Sequence, residues 1–190
     1  MSRLFLKNEE LASYKPHFKC YKKKIVLSLK NKICSEIPGD YVVIKPLKSF
    51  KGNGVIILHK NELDETLQQI QQQKGYWKND RSESFIVEEF IESDPLITER
   101  LDNRPYDATL RAIFGLVYNQ GKITIHPFGM HWKTPKLSLF ETGSFDLLHQ
   151  SFGRRTNVDE NAPVDQEMQI IINKQLERAL TLLYIEMLHP

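Results

Sequence analysis

At 190 residues the chain can bury a full core, and its length fits one domain or two small lobes. Its 26 basic and 24 acidic residues leave a formal charge of +2, so nucleic acid is not the default partner, although the first 60 residues are locally lysine-rich. Cys20 and Cys34 lack CxxC spacing and read as free thiols, and no apolar run reaches membrane length. With no hydrophobic leader after Met1, the expectation is a soluble, cytoplasmic protein of mixed helix and strand.

The first 24 residues carry few signals. Asn8-Glu-Glu-Leu-Ala predicts a short helix capped by Asn8 and limited by Pro16. Lys22-Lys-Lys24 reads as a solvated run ahead of a strand, Ile25–Leu29. Pro38-Gly39 then turns the chain into the stretch around which the rest is organised.

That stretch is Tyr41-Val-Val-Ile-Lys45-Pro46, a loop through Lys48, Lys51, Gly52, Asn53 and Gly54, and a second β-rich run, Val55–Leu58. Strand alternation puts Tyr41, Val43 and Lys45 on one side, with Lys45 facing the loop. Glycines let backbone N–H groups approach oxygens closely, and ammonium groups neutralise them, which is what a polyphosphate needs. The alternative is a basic hairpin with a glycine turn. A protein kinase places its glycine loop before the strand lysine, and a P-loop opens a helix; neither order is found here. After the second run, Leu63, Leu67 and Ile70 form one apolar stripe of a helix with Asn61 as cap, Glu62, Asp64 and Glu65 in its first turn, and Gly75 at its end. Tyr76 to Ser84 reads as a polar connection and a lobe boundary, dividing the chain at 1–80 and 81–190.

The order strand-lysine, glycine loop, strand, helix, with VIKP followed by SFKGNGVIIL, resembles the ATP-grasp superfamily. The resemblance implies an α+β fold in which two small α/β lobes with antiparallel sheets clasp a nucleotide. Ser84-Phe-Ile-Val-Glu88-Glu89-Phe90-Ile91-Glu92-Ser-Asp94 resembles the family's hinge. There Glu88 would open the motif, Glu89, Phe90 and Ile91 would meet the adenine edge through backbone groups, and Glu92 or Asp94 would take the ribose hydroxyls. The competing reading is an edge strand with solvent-facing acids.

Tyr106 to Tyr118 predicts a long strand turned by Asn119-Gln-Gly121 into a partner, Lys122–Pro127. Asp107, Thr109 and Arg111 share a face, and an arginine in so apolar a strand needs a partner. Asp107 could supply it as an ion pair, or phosphate oxygens could, which suits a guanidinium fork. Phe128 to Gln150, with His126 just before it and His131, Trp132, Lys133 and Lys136 inside it, reads as a covering loop. Arg155-Thr156-Asn157 resembles the family's Arg-x-Asn segment, whose arginine contacts the moving phosphoryl group or a carboxylate. Asp165 or Asn161 can cap a last helix with Met168, Ile172, Leu176, Ala179, Leu180, Leu183 and Met187 as its core stripe.

The resemblance implies an ATP-dependent ligase joining a carboxylate to an amine through an acyl phosphate. ATP and Mg2+ would be cofactors and a small-molecule or peptide carboxylate or amine the substrate, with no membrane involved. Lys45, Lys51, Gly52, Asn53, Gly54 and Asp107 would complete the nucleotide site, and Arg111 and Arg155 the catalytic one. The family's Glu-x-Asn after the last helix is not found here, so Asp159 and Glu160 stand as metal candidates, with further domains or subunits completing the site. A non-catalytic nucleotide-binding or interaction module on the same fold is the alternative.

Overall fold

The computed structural model describes residues 4–5, 7–24, 28–48, 53–99, 102–141, 145 and 161–188. It is an α+β protein of helices and antiparallel sheets. The chain divides into two compact units, Pro16–Glu92 with Glu141–Arg154, and Met1–Lys15 with Ser93–Phe140 and Arg155–Pro190. Among the described residues no helix is long and apolar enough to cross a membrane.

The Pro16–Glu92 unit is built on strands β1 (Phe18–Lys22), β2 (Tyr41–Pro46), β3 (Ile56–His59) and β4 (Ser84–Glu89), in the order β1-β4-β2-β3. Every pair is antiparallel. One face carries Tyr21, Val42, Ile44, Leu58, Phe85 and Val87, all buried against helices α2 (Leu29–Glu36) and α3 (Leu63–Gln71). Helix α3 buries the expected stripe of Leu63, Leu67 and Ile70. Each of these truncated to alanine would cost roughly 2–5 kcal/mol. The helix is preceded by a 3-10 turn at Lys60–Glu62, and it ends at Gln71, where Gln73 takes a positive φ of 51°, before Gly75 is reached.

Two segments depart from the sequence expectation. Leu29 does not end a strand but opens α2, which buries Leu29 and Ile33, with Ile37 following; residues 25–27 lie outside the described ones. The spacing of four between these three residues is the helical signal that a strand reading overrode. Lys60 closes α2, its ammonium donating to the Ile37 carbonyl at 2.6 Å, where the helix dipole favours a cation. The supposed polar connection holds a 3-10 turn, Gly75–Asn79, with Trp77 buried edge-on to Phe85 at 6.2 Å. Lys23, expected in a solvated run, is instead largely buried against Asp80 at 3.2 Å and over the Trp77 ring.

The other unit holds α1 (Glu9–Ala12), strands β5 (Thr109–Asn119), β6 (Lys122–Lys133) and β7 (Asn161–Pro163), and α4 (Gln166–Leu188). Asn8 caps α1 by accepting from the Leu11 N–H at 3.1 Å, and Asp165 caps α4 by accepting from Met168 N–H at 2.8 Å. The sheet runs β5-β6-β7, with β5 and β6 joined by a tight turn at Gln120-Gly121, both at positive φ. Of the expected α4 stripe, Leu183 is buried and Met168 and Met187 are exposed.

Asp80 yields a stability prediction. Burial alone would raise its pKa, but the Ser82 N–H and the Lys23 ammonium outweigh that and hold it below the usual carboxylate value. A depressed folded pKa stabilises above the unfolded value and is lost as pH falls through the folded one. Asp80→Asn should therefore destabilise by about 1–3 kcal/mol at neutral pH. In urea melts the gap to the parent should narrow as pH drops below the ordinary carboxylate range; a gap independent of pH would contradict this assignment.

Candidate functional site

Backbone register decides which side chains share the sheet face turned away from α2 and α3. Val43 lies opposite Glu88 and Lys45 opposite Ile86 across β2 and β4, while Phe18 and Cys20 flank Glu88 and Ile86 from β1. Ile57 and His59 of β3 complete the row beside Val43 and Tyr41. The alternation expected for Tyr41, Val43 and Lys45 is thus realised.

Glu88 is 5% exposed, and its carboxylate accepts from the Lys45 ammonium. Since β4 lies inside the sheet, between β1 and β2, the edge-strand alternative for this acidic segment does not hold. A buried carboxylate requires a cation and hydrogen bonds. Lys45 supplies the charge from the neighbouring strand while keeping its own side chain partly open to solvent. Beside this pair Tyr41 gathers an aromatic group: His59 edge-on at 5.2 Å, Phe145 edge-on at 5.2 Å, and Phe90 at 6.2 Å. Phe90 and Phe145 themselves lie 4.7 Å apart. His59 Nδ1 accepts from the Asn61 N–H at 3.2 Å, which fixes how its ring lies.

The backbone of Glu89 and Phe90 is committed within the protein. The Glu89 N–H donates to the His17 carbonyl at 2.8 Å, and the Phe90 N–H to the Tyr41 carbonyl at 3.4 Å. The Ile91 N–H has no such bond among the described residues and sits at an exposed position. Glu92 and Asp94 are exposed. Of the glycine loop, Asn53 and Gly54 are described, and Gly54 has φ +75°, a left-handed conformation that glycine adopts without strain. Lys51 and Gly52 lie outside the described residues, as do Arg155, Asp159 and Glu160.

In the other unit Asp107 precedes β5 and accepts from the Ser93 hydroxyl at 2.6 Å. Arg111 is exposed and forms no ion pair with a described acid, so the Asp107–Arg111 pair is not made. The expected loop after Phe128 begins as strand: β6 continues to Lys133. Register places His131 opposite Arg111 and Lys133 opposite Thr109. A row of three cationic or titratable side chains therefore stands on one sheet face, a row hidden from sequence reading because Gly129 and Pro127 look like strand breakers. No group of three or more His, Cys, Asp and Glu residues is gathered as a metal site among the described residues.

No protein-family model matches the chain, and no curated protein matches it. Among solved structures it is similar to a D-alanine–D-alanine ligase from Bacillus anthracis, at 11% identity and a TM-score of 0.33, over 95% of this chain and 66% of that one. The chain thus spans slightly under two thirds of that ligase.

The Lys45–Glu88 pair should be visible in stability. Lys45→Ala leaves a buried carboxylate without its ammonium and should cost about 2–4 kcal/mol. Adding Glu88→Gln should recover part of that loss, a coupling measured by a double-mutant cycle in chemical denaturation. Additive losses would mean that the two groups do not sense one another.

Proposed function

We propose that the chain is an ATP-binding protein of the ATP-grasp type that ligates a carboxylate to an amine. The observation that supports this most is Lys45, held by buried Glu88 on the sheet face turned from the helices, at the entrance to the Lys48–Gly54 loop. In this reading Lys45, Lys48 and Lys51 hold phosphates, with Gly52, Asn53 and Gly54 forming the lid. The aromatic group of Tyr41, Phe90 and Phe145 offers flat apolar surface for a base, and Ile91 an unspent backbone donor. Glu92 or Asp94 takes the ribose.

A substrate carboxylate oxygen attacks the terminal phosphorus, and the bond from that phosphorus to the bridging oxygen breaks, its electron pair leaving on ADP. The amine then attacks the acyl carbon. Phosphate departs with the carbon–oxygen electron pair, and the amine nitrogen loses its proton. Arg111 and Arg155 would stabilise charge on the moving phosphoryl group, a matter of positioning and electrostatics rather than covalent help. The described residues gather no group of three or more His, Cys, Asp and Glu side chains for a metal ion; Asp159 and Glu160, outside them, stay as candidate magnesium ligands.

Calorimetry tests the nucleotide half. ATP should bind better than GTP, and Lys45→Ala should weaken ATP by ~1.5–3 kcal/mol. Because that variant also loses stability, Lys45→Ala/Glu88→Gln is the control: it should regain stability without regaining ATP affinity. Unchanged affinity in both variants would remove Lys45 from the site.

Turnover tests the other half. With acid and amine mixtures supplied, ATP should be converted to ADP and phosphate as an amide forms, and Arg111→Ala should slow this on the order of 100-fold. ATP binding with no turnover in any mixture, and no tightening by magnesium, would leave the non-catalytic binding module as the function.

A further inference from the structure

Among the described residues strand β5 is an unpaired edge. The sheet order β5-β6-β7 leaves its outer row of N–H and C=O groups facing no strand, and no hydrogen bond to them is found among the described residues. Natural edges of this length are normally blunted by charge, proline or brevity. Here the run Ala112-Ile-Phe-Gly-Leu-Val-Tyr118 contains none of the three. It also leaves Ile113 49%, Val117 48% and Tyr118 55% exposed.

We infer that β5 pairs with β5 of a second copy of this chain, antiparallel and centred on Gly115, joining two three-stranded sheets into one. The occupant is argued from the symmetry of the strand itself. A two-fold axis normal to a sheet must pass through a residue position, since only residues of equal parity share a face. Gly115 is the midpoint of the uncharged run, so an axis there pairs the whole run with itself. Ile113 then meets Val117 of the other copy and Phe114 meets Leu116, apolar on apolar. Arg111 meets Asn119, which avoids facing two cations. An axis moved to Phe114 would set Val117 against Arg111, and one moved to Leu116 would set Ile113 against Asn119.

Phe128 gives an independent reason for the same axis. It is the extra residue at the bulge, where register shifts between Ile113 and Phe114, and it is 73% exposed. Its ring covers Gly115 so closely that a Cβ there would lie 2.9 Å from the ring's Cζ. Paired glycines at the axis lie about 5 Å apart, so the two Phe128 rings meet over it. One contact thus covers Phe128, Ile113 and Val117 together and satisfies the edge backbone.

The test is the mass of the whole chain in solution by light scattering. The parent should run as a dimer. Ile113→Lys/Val117→Lys sets like charges opposite each other twice and should weaken dimerisation on the order of tenfold or more, with circular dichroism unchanged. Ile113→Glu/Val117→Lys sets opposite charges against each other in this register and should restore the dimer. Three results would overturn the inference: a monomeric parent whose β5 amides are protected from exchange, meaning another segment of the chain covers the edge; a monomeric parent with unprotected amides; or a double-lysine variant as dimeric as the parent, meaning an interface elsewhere.

Discussion

A carboxylate cannot be left alone in the middle of a sheet, and Glu88 makes that constraint the organising one for the Pro16–Glu92 unit. Strand β4 is flanked on both sides, by β1 and β2, so neither neighbour can step aside to admit water. Here a cation comes from an adjacent strand on the same face, the ammonium of Lys45. Register gives only a few positions from which a lysine stem could reach, and Lys45, one pair along from Val43, is one of them. The pairing of β2 with β4 therefore has to hold its register: a slip by one residue would turn Lys45 into the helix-covered core.

The apolar patterns were legible in the sequence wherever burial is one-sided. The α3 stripe, the alternation of β2 and the turn at Gln120-Gly121 follow from periods of 3.6 and 2 and from positive φ. What could not be read is pairing. Nothing local in Phe18–Lys22 announces that it will lie beside β4, and Lys23 looks solvated until Asp80, far along the chain, closes on it. Ser84–Glu89 could be an edge or an interior strand on its own evidence; the ladder to β1 decided between them. Of the site, Lys45 and Glu88 could each be singled out in sequence, but their contact across β2 and β4 could not.

In the other unit the obstacle was local. Pro127 and Gly129 interrupt β6 as sequence, yet the strand passes through both because a bulge at Phe128 absorbs the irregularity. The bulge has two consequences. It carries β6 on to Lys133, so that His131 stands beside Arg111, and it lifts the Phe128 ring over Gly115. One extra residue thus produces both a cationic row and an exposed aromatic, and strand alternation puts Arg111 and the Phe128 ring over Gly115 on the same face of the hairpin.

The Lys45–Glu88 pair also limits what the sheet face turned from α2 and α3 can bind unaided. A phosphate oxygen about 3 Å from the ammonium would gain roughly 5–6 kcal/mol at an effective dielectric of 20, while a carboxylate about 6 Å away would return roughly 3. Attraction wins, but by half or less of its gross value. The buried acid would therefore orient the lysine while cancelling about half of its field. A group bearing several negative charges needs further cations, and Lys48 and Lys51 in the adjoining loop are the ones the chain order supplies there.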